Sequence, residues 1–122
     1  SAVVERIEQA VGRRPAPGIE VDFVEASTGA EVITLVDGGG IDLLMLDAEA
    51  WPTGGMGLSR QLKNEISDPP VICLVLARTV DRWLATWSQA DAVVAHPLDP
   101  VAVAGTVADV LRRRAGVVPA PR

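Results

Sequence analysis

The stretch that decides the fold is Ile41-Asp42-Leu43-Leu44-Met45-Leu46-Asp47, a nearly continuous apolar run that ends in a carboxylate. It lies between three glycines at positions 38–40 and the sequence Trp51-Pro52-Thr53-Gly54-Gly55, and it is too short for a helix. This pattern favours a β-strand that is buried on both faces, as in parallel sheets covered by helices. Ligands of such sheets collect outside the carboxyl ends of the strands. Asp47 is therefore the first candidate site residue.

Three further segments have the pattern of a β-strand. They are Ile19–Phe23, which alternates apolar and acidic residues as an edge strand does, Val71–Leu76, which is apolar throughout, and the short Ala92–Ala95 before His96-Pro97. The last two predict buried or half-buried strands on the same sheet.

Apolar residues at helical spacing predict a helix before, between and after these strands. One helix starts almost at Ser1, a second opens at the capping-box sequence Thr28-Gly29-Ala30-Glu31, and the last follows Asp99 as N-cap. Two more helices are predicted from the apolar sets Leu58, Leu62 and Ile66, and Val80, Trp83, Leu84 and Trp87. The strict alternation of helices and strands, with short connections between them, predicts right-handed crossovers in one doubly wound parallel sheet.

The composition indicates one globular domain. The chain has 122 residues, of which 48% are hydrophobic and 22% charged. We expect the domain to span residues 1–115 and residues 116–122 to form a disordered tail. Its net charge of -5 argues against nucleic acid as a partner.

The apolar runs and the cysteine content indicate where in the cell the protein is expected to be. The longest apolar run, Val71–Ala77, is far shorter than the roughly twenty residues of a membrane span, so we expect no membrane insertion. No signal peptide is evident at the amino end, which reads as an amphipathic helix. The single cysteine, Cys73, lies in an apolar run and is expected to be a buried thiol. These features fit a soluble, cytoplasmic protein.

The order and spacing of several short motifs resemble the receiver domain of bacterial two-component response regulators. The motifs are Leu46-Asp47 followed by Pro52 and Gly57, then Pro70 before a buried strand, and Ala95-His96-Pro97-Leu98-Asp99-Pro100. The runs 47–57 and 83–100 look most similar to stand-alone, atypical receivers of actinobacteria. The resemblance implies a flavodoxin-like fold with strand order 2-1-3-4-5, and a role in phosphorelay signal transduction.

In that family the residue corresponding to Asp47 accepts a phosphoryl group from a histidine kinase or a small donor. The resemblance implies a Mg²⁺ ion held by Asp47, the backbone carbonyl of Glu49 and an acidic pair after the family's first strand. It also implies a histidine kinase or a downstream effector as protein partner, a homodimer as one form of assembly, and no enzymatic activity of its own.

The chain departs from the family pattern around this position. Leu76, followed by Ala77, stands where a hydroxyl residue binds the phosphoryl group, and His96, followed by Pro97, stands in the place of a lysine. Val93 occupies the position of an aromatic switch residue. The loop after Asp47 is longer than usual, which displaces the carbonyl of Glu49. These differences predict weak phosphorylation or none.

The family's first strand has no counterpart in the sequence, which opens with a helix. That strand is central in the order 2-1-3-4-5, and its removal would leave two unpaired edges. We therefore expect the biological chain to begin upstream of Ser1. The other explanation is that a partner chain supplies the strand.

The tryptophans and His96 have two interpretations each. Trp83 and Trp87 share one apolar stripe and either bury against the sheet or form a protein contact surface, which in receivers includes this helix. Trp51, in a glycine-rich loop, is expected to shield Asp47 or to bind a partner. His96 either contacts the phosphoryl site or is structural, with a cis bond to Pro97.

These observations favour an atypical receiver domain that signals mainly by binding another protein, through Trp51, Trp83, Trp87 and Val93. One alternative is a working phosphoacceptor switch at Asp47. The other is a small-ligand sensor that uses the crevice near Asp47, Leu76 and His96.

Overall fold

A parallel sheet lies at the centre of the structure, a computed structural model that describes residues 2–48, 54–77 and 82–114. Within these residues it has three strands in the order β1-β2-β3, which are β1 (Leu43–Asp47), β2 (Val71–Leu76) and β3 (Ala92–Ala95). Both pairings are parallel, with Asp47 opposite Val75 and Leu76 opposite Ala95. The buried run that ends in Asp47 is thus a strand, as the sequence predicts.

The helices follow the predicted order. They are α1 (Ala2–Val11), α2 (Gly29–Asp37), α3 (Gly54–Glu65), α4 (Arg82–Ser88) and α5 (Pro100–Arg114). Both predicted caps form: the Thr28 hydroxyl accepts the Glu31 N–H at 3.1 Å, and the Asp99 carboxylate accepts the Val101 N–H at 3.1 Å. Each cap satisfies a backbone donor that lacks a partner in the first helical turn.

Strand β2 is buried on both faces, because successive side chains enter opposite layers. The first cluster lies on the side of α2 and α3 and consists of Val32, Leu46, Ala48, Leu58, Leu62, Ile72, Leu74 and Leu76. The second lies on the side of α1 and α5 and consists of Ile7, Val11, Cys73, Val75, Val94, Val103 and Val107. Helices cover both faces of the sheet, so the predicted doubly wound, flavodoxin-like class is confirmed.

The amino ends of the strands are tied together by Asp91, which immediately precedes β3. Its carboxylate oxygen Oδ2 accepts the N–H of Ile72 at 2.8 Å and lies 2.6 Å from the ammonium group of Lys63 on α3. The Asp91 N–H also donates to the Ile72 carbonyl at 2.8 Å. One side chain therefore joins β2, β3 and α3 at the end of the sheet opposite Asp47.

The predicted strand Ile19–Phe23 is wrong. Ile19 forms only an isolated antiparallel bridge with Ala16, and the segment 20–26 has no regular secondary structure. Alternation gives this segment strand character, but a strand also needs a hydrogen-bonded neighbour. Within the described residues, β1 pairs with β2 alone, so no strand stands between β1 and this segment.

Some predictions fall on residues that the structure does not describe. They concern Glu49, Trp51, Val80 and the tail 116–122, which lie outside the ranges given above. Among the helices that are described, none combines the length and apolar content needed to cross a membrane.

Candidate functional site

The candidate site lies at the carboxyl edge of the sheet, where the three strands end together. The Ala48 N–H donates to the Val75 carbonyl at 3.0 Å, and the His96 N–H donates to the Leu76 carbonyl at 2.9 Å. These bonds extend the parallel ladders just beyond the strand ends. Asp47, Leu76 and His96 therefore stand side by side at one edge, with β2 in the middle.

Asp47 and Leu76 direct their side chains to different faces of the sheet. Leu76 is 1% exposed and packs in the first cluster, beside α2 and α3. Alternation along β1 places Asp47 with Leu43 and Met45, on the side of α1 and α5. The partly buried Asp47 carboxylate therefore has an aliphatic core residue, not a hydroxyl, at the neighbouring strand end.

His96 approaches this edge from the far side of β2. Because adjacent strands lie about 4.8 Å apart, the backbones of Asp47 and His96 are separated by roughly two such spacings. His96 is partly buried, and its peptide bond to Pro97 is cis, as expected. An imidazole reaches less far than a lysine ammonium group.

The other candidate neighbours at this edge are Ala77 and Val93. Ala77 is exposed and ends β2 with a methyl group only. Val93 is partly buried and packs against the first cluster from β3, so its side chain belongs mainly to the core. Neither residue provides a group that hydrogen-bonds to an anion.

The described residues do not form a magnesium site. In the ranges 2–48, 54–77 and 82–114, no group of three His, Cys, Asp or Glu side chains is placed to hold a metal ion. Mg²⁺ prefers about six oxygen ligands in octahedral geometry, and Asp47 alone supplies one carboxylate.

Helix α4 presents two indole rings to solvent. Trp83 is 70% exposed and Trp87 is 50% exposed, so the alternative in which both bury against the sheet is excluded. Exposed tryptophans one helical turn apart form an apolar surface of the kind found at protein interfaces.

Side chains of α3 hold the carboxyl end of α4. The buried hydroxyl of Ser59 donates to the Ser88 carbonyl at 2.9 Å, and Arg60 Nη1 donates to the Trp87 carbonyl at 2.7 Å. The Gln89 side chain, on a residue with φ of 63°, donates to Asn64 at 3.1 Å. The bonds from Ser59 and Arg60 satisfy last-turn carbonyls of a seven-residue helix that would not be stable alone. Sequence reasoning missed Ser59, Arg60 and Asn64, because contacts across more than twenty residues leave no local pattern.

Two titratable groups in the described part of the chain have a shifted pKa. Burial raises the pKa of the Cys73 thiol to about 12, which keeps it protonated and unreactive. Partial burial, and then the nearby carboxylate of Glu25, raises the pKa of Glu8 on α1. Cys73 therefore has no nucleophilic role.

Comparison with known proteins identifies two close relatives, both described as uncharacterised response regulatory proteins of Mycobacterium tuberculosis. Each is 48% identical to this chain over 109 residues, which cover 88% of this chain and 82% of the relative. No protein-family model matches the chain.

Solved structures show the same fold at low sequence identity. A CheY-like response regulator receiver domain from Methanospirillum hungatei has a TM-score of 0.70 at 18% identity, covering 94% of this chain and 89% of its own. The receiver domain of a histidine kinase from Syntrophus aciditrophicus has a TM-score of 0.71 at 20% identity, covering 98% and 87%. The arrangement of strands and helices described above is that of these receiver domains.

Proposed function

The chain belongs to the response regulator family as a receiver domain, and on that premise we propose that it signals mainly by binding a protein partner, with weak or no phosphorylation. It acts as a cytoplasmic signalling domain and not as an enzyme. The partner is a histidine kinase or a downstream effector. The observation that carries the proposal is the end of β2 next to Asp47, where Leu76 is a buried aliphatic residue that points into the core and Ala77 provides only a methyl group.

Three features of the edge argue against efficient phosphoryl transfer. Phosphoryl transfer depends on positioned donors and cations that neutralise the developing charge on the phosphoryl oxygens. Leu76 donates no hydrogen bond, the His96 side chain is shorter than that of lysine, and the described residues include no group of three side chains placed to hold a metal ion. Within the described residues, Asp47 stands at its strand end without a hydroxyl side chain at the end of β2 or a lysine at the end of β3.

The α4 surface supports a binding role. Trp83 and Trp87 are large, exposed and held on a short helix whose carboxyl end is fixed by α3. Fixed aromatic side chains lose little conformational entropy on binding, which is why tryptophan is frequent at interface hot spots.

Intact-mass measurement after incubation with acetyl phosphate and Mg²⁺ tests the phosphorylation half of the proposal. We expect little or no gain of a phosphoryl group in the parent protein. The double variant Ala77→Thr, His96→Lys introduces a hydroxyl on the face of β2 that Asp47 shares, together with a lysine, and we expect it to gain the group if Asp47 remains competent.

Asp47→Asn, in both the parent and the double-variant background, is the control and should remain unmodified. Rapid, stoichiometric modification of the parent that Asp47→Asn abolishes would reject weak phosphorylation. It would instead support the second candidate function, a phosphoacceptor switch, which the position of Asp47 at the carboxyl edge favours.

Cross-linking in cells, followed by mass spectrometry, tests the binding half. We expect Trp83→Ala and Trp87→Ala to lose specific partners that the parent retains. Gln61→Ala, an exposed change on α3, should retain them. Equal recovery of partners by all variants would show that the α4 surface is not the contact.

A further inference from the structure

A pocket of about 280 Å³ lies at the amino edge of the sheet, the end opposite Asp47. It is bordered by the start of β2, by the turn before that strand, and by the last turns of α3 and α5. Neither Asp47 nor His96 lines it, so it is distinct from the site at the carboxyl edge. Most of its lining is charged, and the charged lining residues are Lys63, Asp91, Arg113 and Arg114.

Lys63 and Asp91 form an ion pair in the wall of this pocket. The Lys63 ammonium group lies 2.6 Å from Asp91 Oδ2, and the Lys63 side chain is only 15% exposed. The same Asp91 oxygen accepts the N–H of Ile72 at 2.8 Å. The carboxylate in the lining is therefore already neutralised by contacts within the fold, and it repels an incoming anion less than an unpaired carboxylate would.

The Arg114 guanidinium group has more donors than the surrounding residues satisfy. Its Nη1 donates to the Pro69 carbonyl at 3.1 Å. Its ion pairs with Asp42 and Asp68 have N–O distances of 3.9 and 3.8 Å, which are longer than hydrogen bonds. Both carboxylates are screened by water, because their side chains are 72% and 94% exposed. Within the described residues, most N–H donors of Arg114 therefore lack a hydrogen-bond acceptor.

Arg113 adds a second guanidinium group to the lining. Its side chain makes no ion pair or hydrogen bond with another residue that the structure describes. The dipole of α5 favours basic residues in the last turn, and this accounts for Arg112, which pairs with Asp109 on the same helix and lies outside the lining. The dipole does not account for the convergence of two arginines with a lysine from α3 around one pocket.

We propose that this pocket binds a small anion with the chemistry of a phosphate dianion. Because Lys63 and Asp91 neutralise each other, the two arginine charges remain in the lining and match the charge of the dianion. Guanidinium groups bind phosphate oxygens in pairs, and the oxygens of a phosphate can accept from two such groups at once. A carboxylate has only two oxygens in one plane and fits this arrangement less well. Free phosphate compounds and a phosphorylated side chain of a partner share this chemistry.

NMR titration with sodium phosphate, at an ionic strength held constant with sodium chloride, tests the proposal. The reporters are the backbone amides of Val71 and Asp91, which both line the pocket. Sodium acetate is the second titrant. Arg113→Gln removes an exposed side chain and should keep the melting temperature of the parent, and Arg112→Gln is the matched control outside the lining. The tripeptide glycyl-phosphoseryl-glycine and its unphosphorylated form distinguish the two sources of the phosphate group.

We expect phosphate to shift both amide signals along a saturating curve, with a dissociation constant of about 10 mM or lower, and acetate to bind roughly tenfold more weakly. Arg113→Gln should weaken phosphate binding by at least about tenfold, whereas Arg112→Gln should leave it unchanged. Shifts that stay linear in phosphate concentration would overturn the proposal, as would equal affinity in Arg113→Gln and the parent. Tighter binding of the phosphorylated tripeptide than of phosphate would assign the site to a phosphorylated protein segment, and weaker binding would assign it to free phosphate compounds.

Discussion

The guanidinium group of Arg60 lies over the indole ring of Trp87, with its central carbon 4.9 Å from the ring centroid. The same guanidinium donates from Nη1 to the backbone carbonyl of Trp87 at 2.7 Å. One side chain of α3 thereby fixes both the ring and the backbone at the end of α4. The exposed tryptophan surface is consequently coupled to the helix that follows the loop after Asp47.

Arg60→Ala should lower the free energy of unfolding by about 1–2 kcal/mol, because it removes a hydrogen bond and a cation–π contact. Arg60→Lys keeps the charge but not the planar group, so its free energy of unfolding should lie between those of the parent and Arg60→Ala. Urea denaturation followed by tryptophan fluorescence measures the change. Gln61→Ala, the neighbouring exposed position, is the control, and equal stability of the two alanine variants would disprove the role of Arg60.

Asp91→Ala should destabilise the fold by about 1–3 kcal/mol, since it leaves the Ile72 N–H without its side-chain acceptor and removes the Lys63 ion pair. Asp91→Asn keeps an acceptor oxygen and should cost less. Asp109→Ala serves as the comparison, because the Asp109 carboxylate is exposed and lies 4.0 Å from Arg112. Its effect should stay below about 0.5 kcal/mol. Chemical denaturation measures the free energy of unfolding of the three variants and shows which of them is destabilised most.

The Cys73 thiol should not react with Ellman's reagent in the folded protein. It is fully buried in β2, and burial raises its pKa to about 12, so almost no thiolate forms at pH 8. Reaction should follow global unfolding in urea. Val101→Cys places a thiol at a position that is 81% exposed and should react within the mixing time. Fast labelling of Cys73 without denaturant would contradict the described packing of β2.

The contribution of Glu8 to the free energy of unfolding should fall as the pH rises above 4.5, the ordinary pKa of this side chain. Partial burial and the Glu25 carboxylate raise the Glu8 pKa in the folded state, so the folded protein binds more protons than the unfolded chain in that interval. The stabilising contribution of Glu8 is fully present at pH values below its pKa in the unfolded chain. It is lost as the pH rises through the higher pKa of Glu8 in the folded protein. Glu8→Gln should remove this contribution from the pH dependence of the free energy of unfolding. Melting temperatures between pH 4 and 7 provide the measurement, and an unchanged slope in Glu8→Gln would refute the assignment.

Much of the fold follows from local sequence patterns. The apolar runs at 43–47, 71–76 and 92–95 are strands at these bounds, and Thr28 and Asp99 cap helices. These predictions succeed because burial on both faces and end-of-helix hydrogen bonds are set by neighbouring residues. The same patterns placed Asp47 and His96 at strand ends, and hence at one edge of the sheet.

The prediction that is wrong and the alternative that stayed open both concern relations between distant segments. Ile19–Phe23 has the alternation of a strand, but pairing depends on a neighbour that no local pattern supplies. For Trp83 and Trp87 the helical spacing left burial and exposure open, and the structure exposes both indoles on a helix that Ser59 and Arg60 hold at its carboxyl end.

The sequence by itself determined the order of helices and strands, the parallel sheet, and the aliphatic and histidine substitutions at the candidate site. Only the tertiary structure decided that Leu76 points into the core away from Asp47, that α4 exposes its indoles, and that basic side chains of α3 and α5 line one pocket. The physical reason is that periodicity shows which residues share a face of an element. What that face meets depends on how elements far apart in the chain pack together.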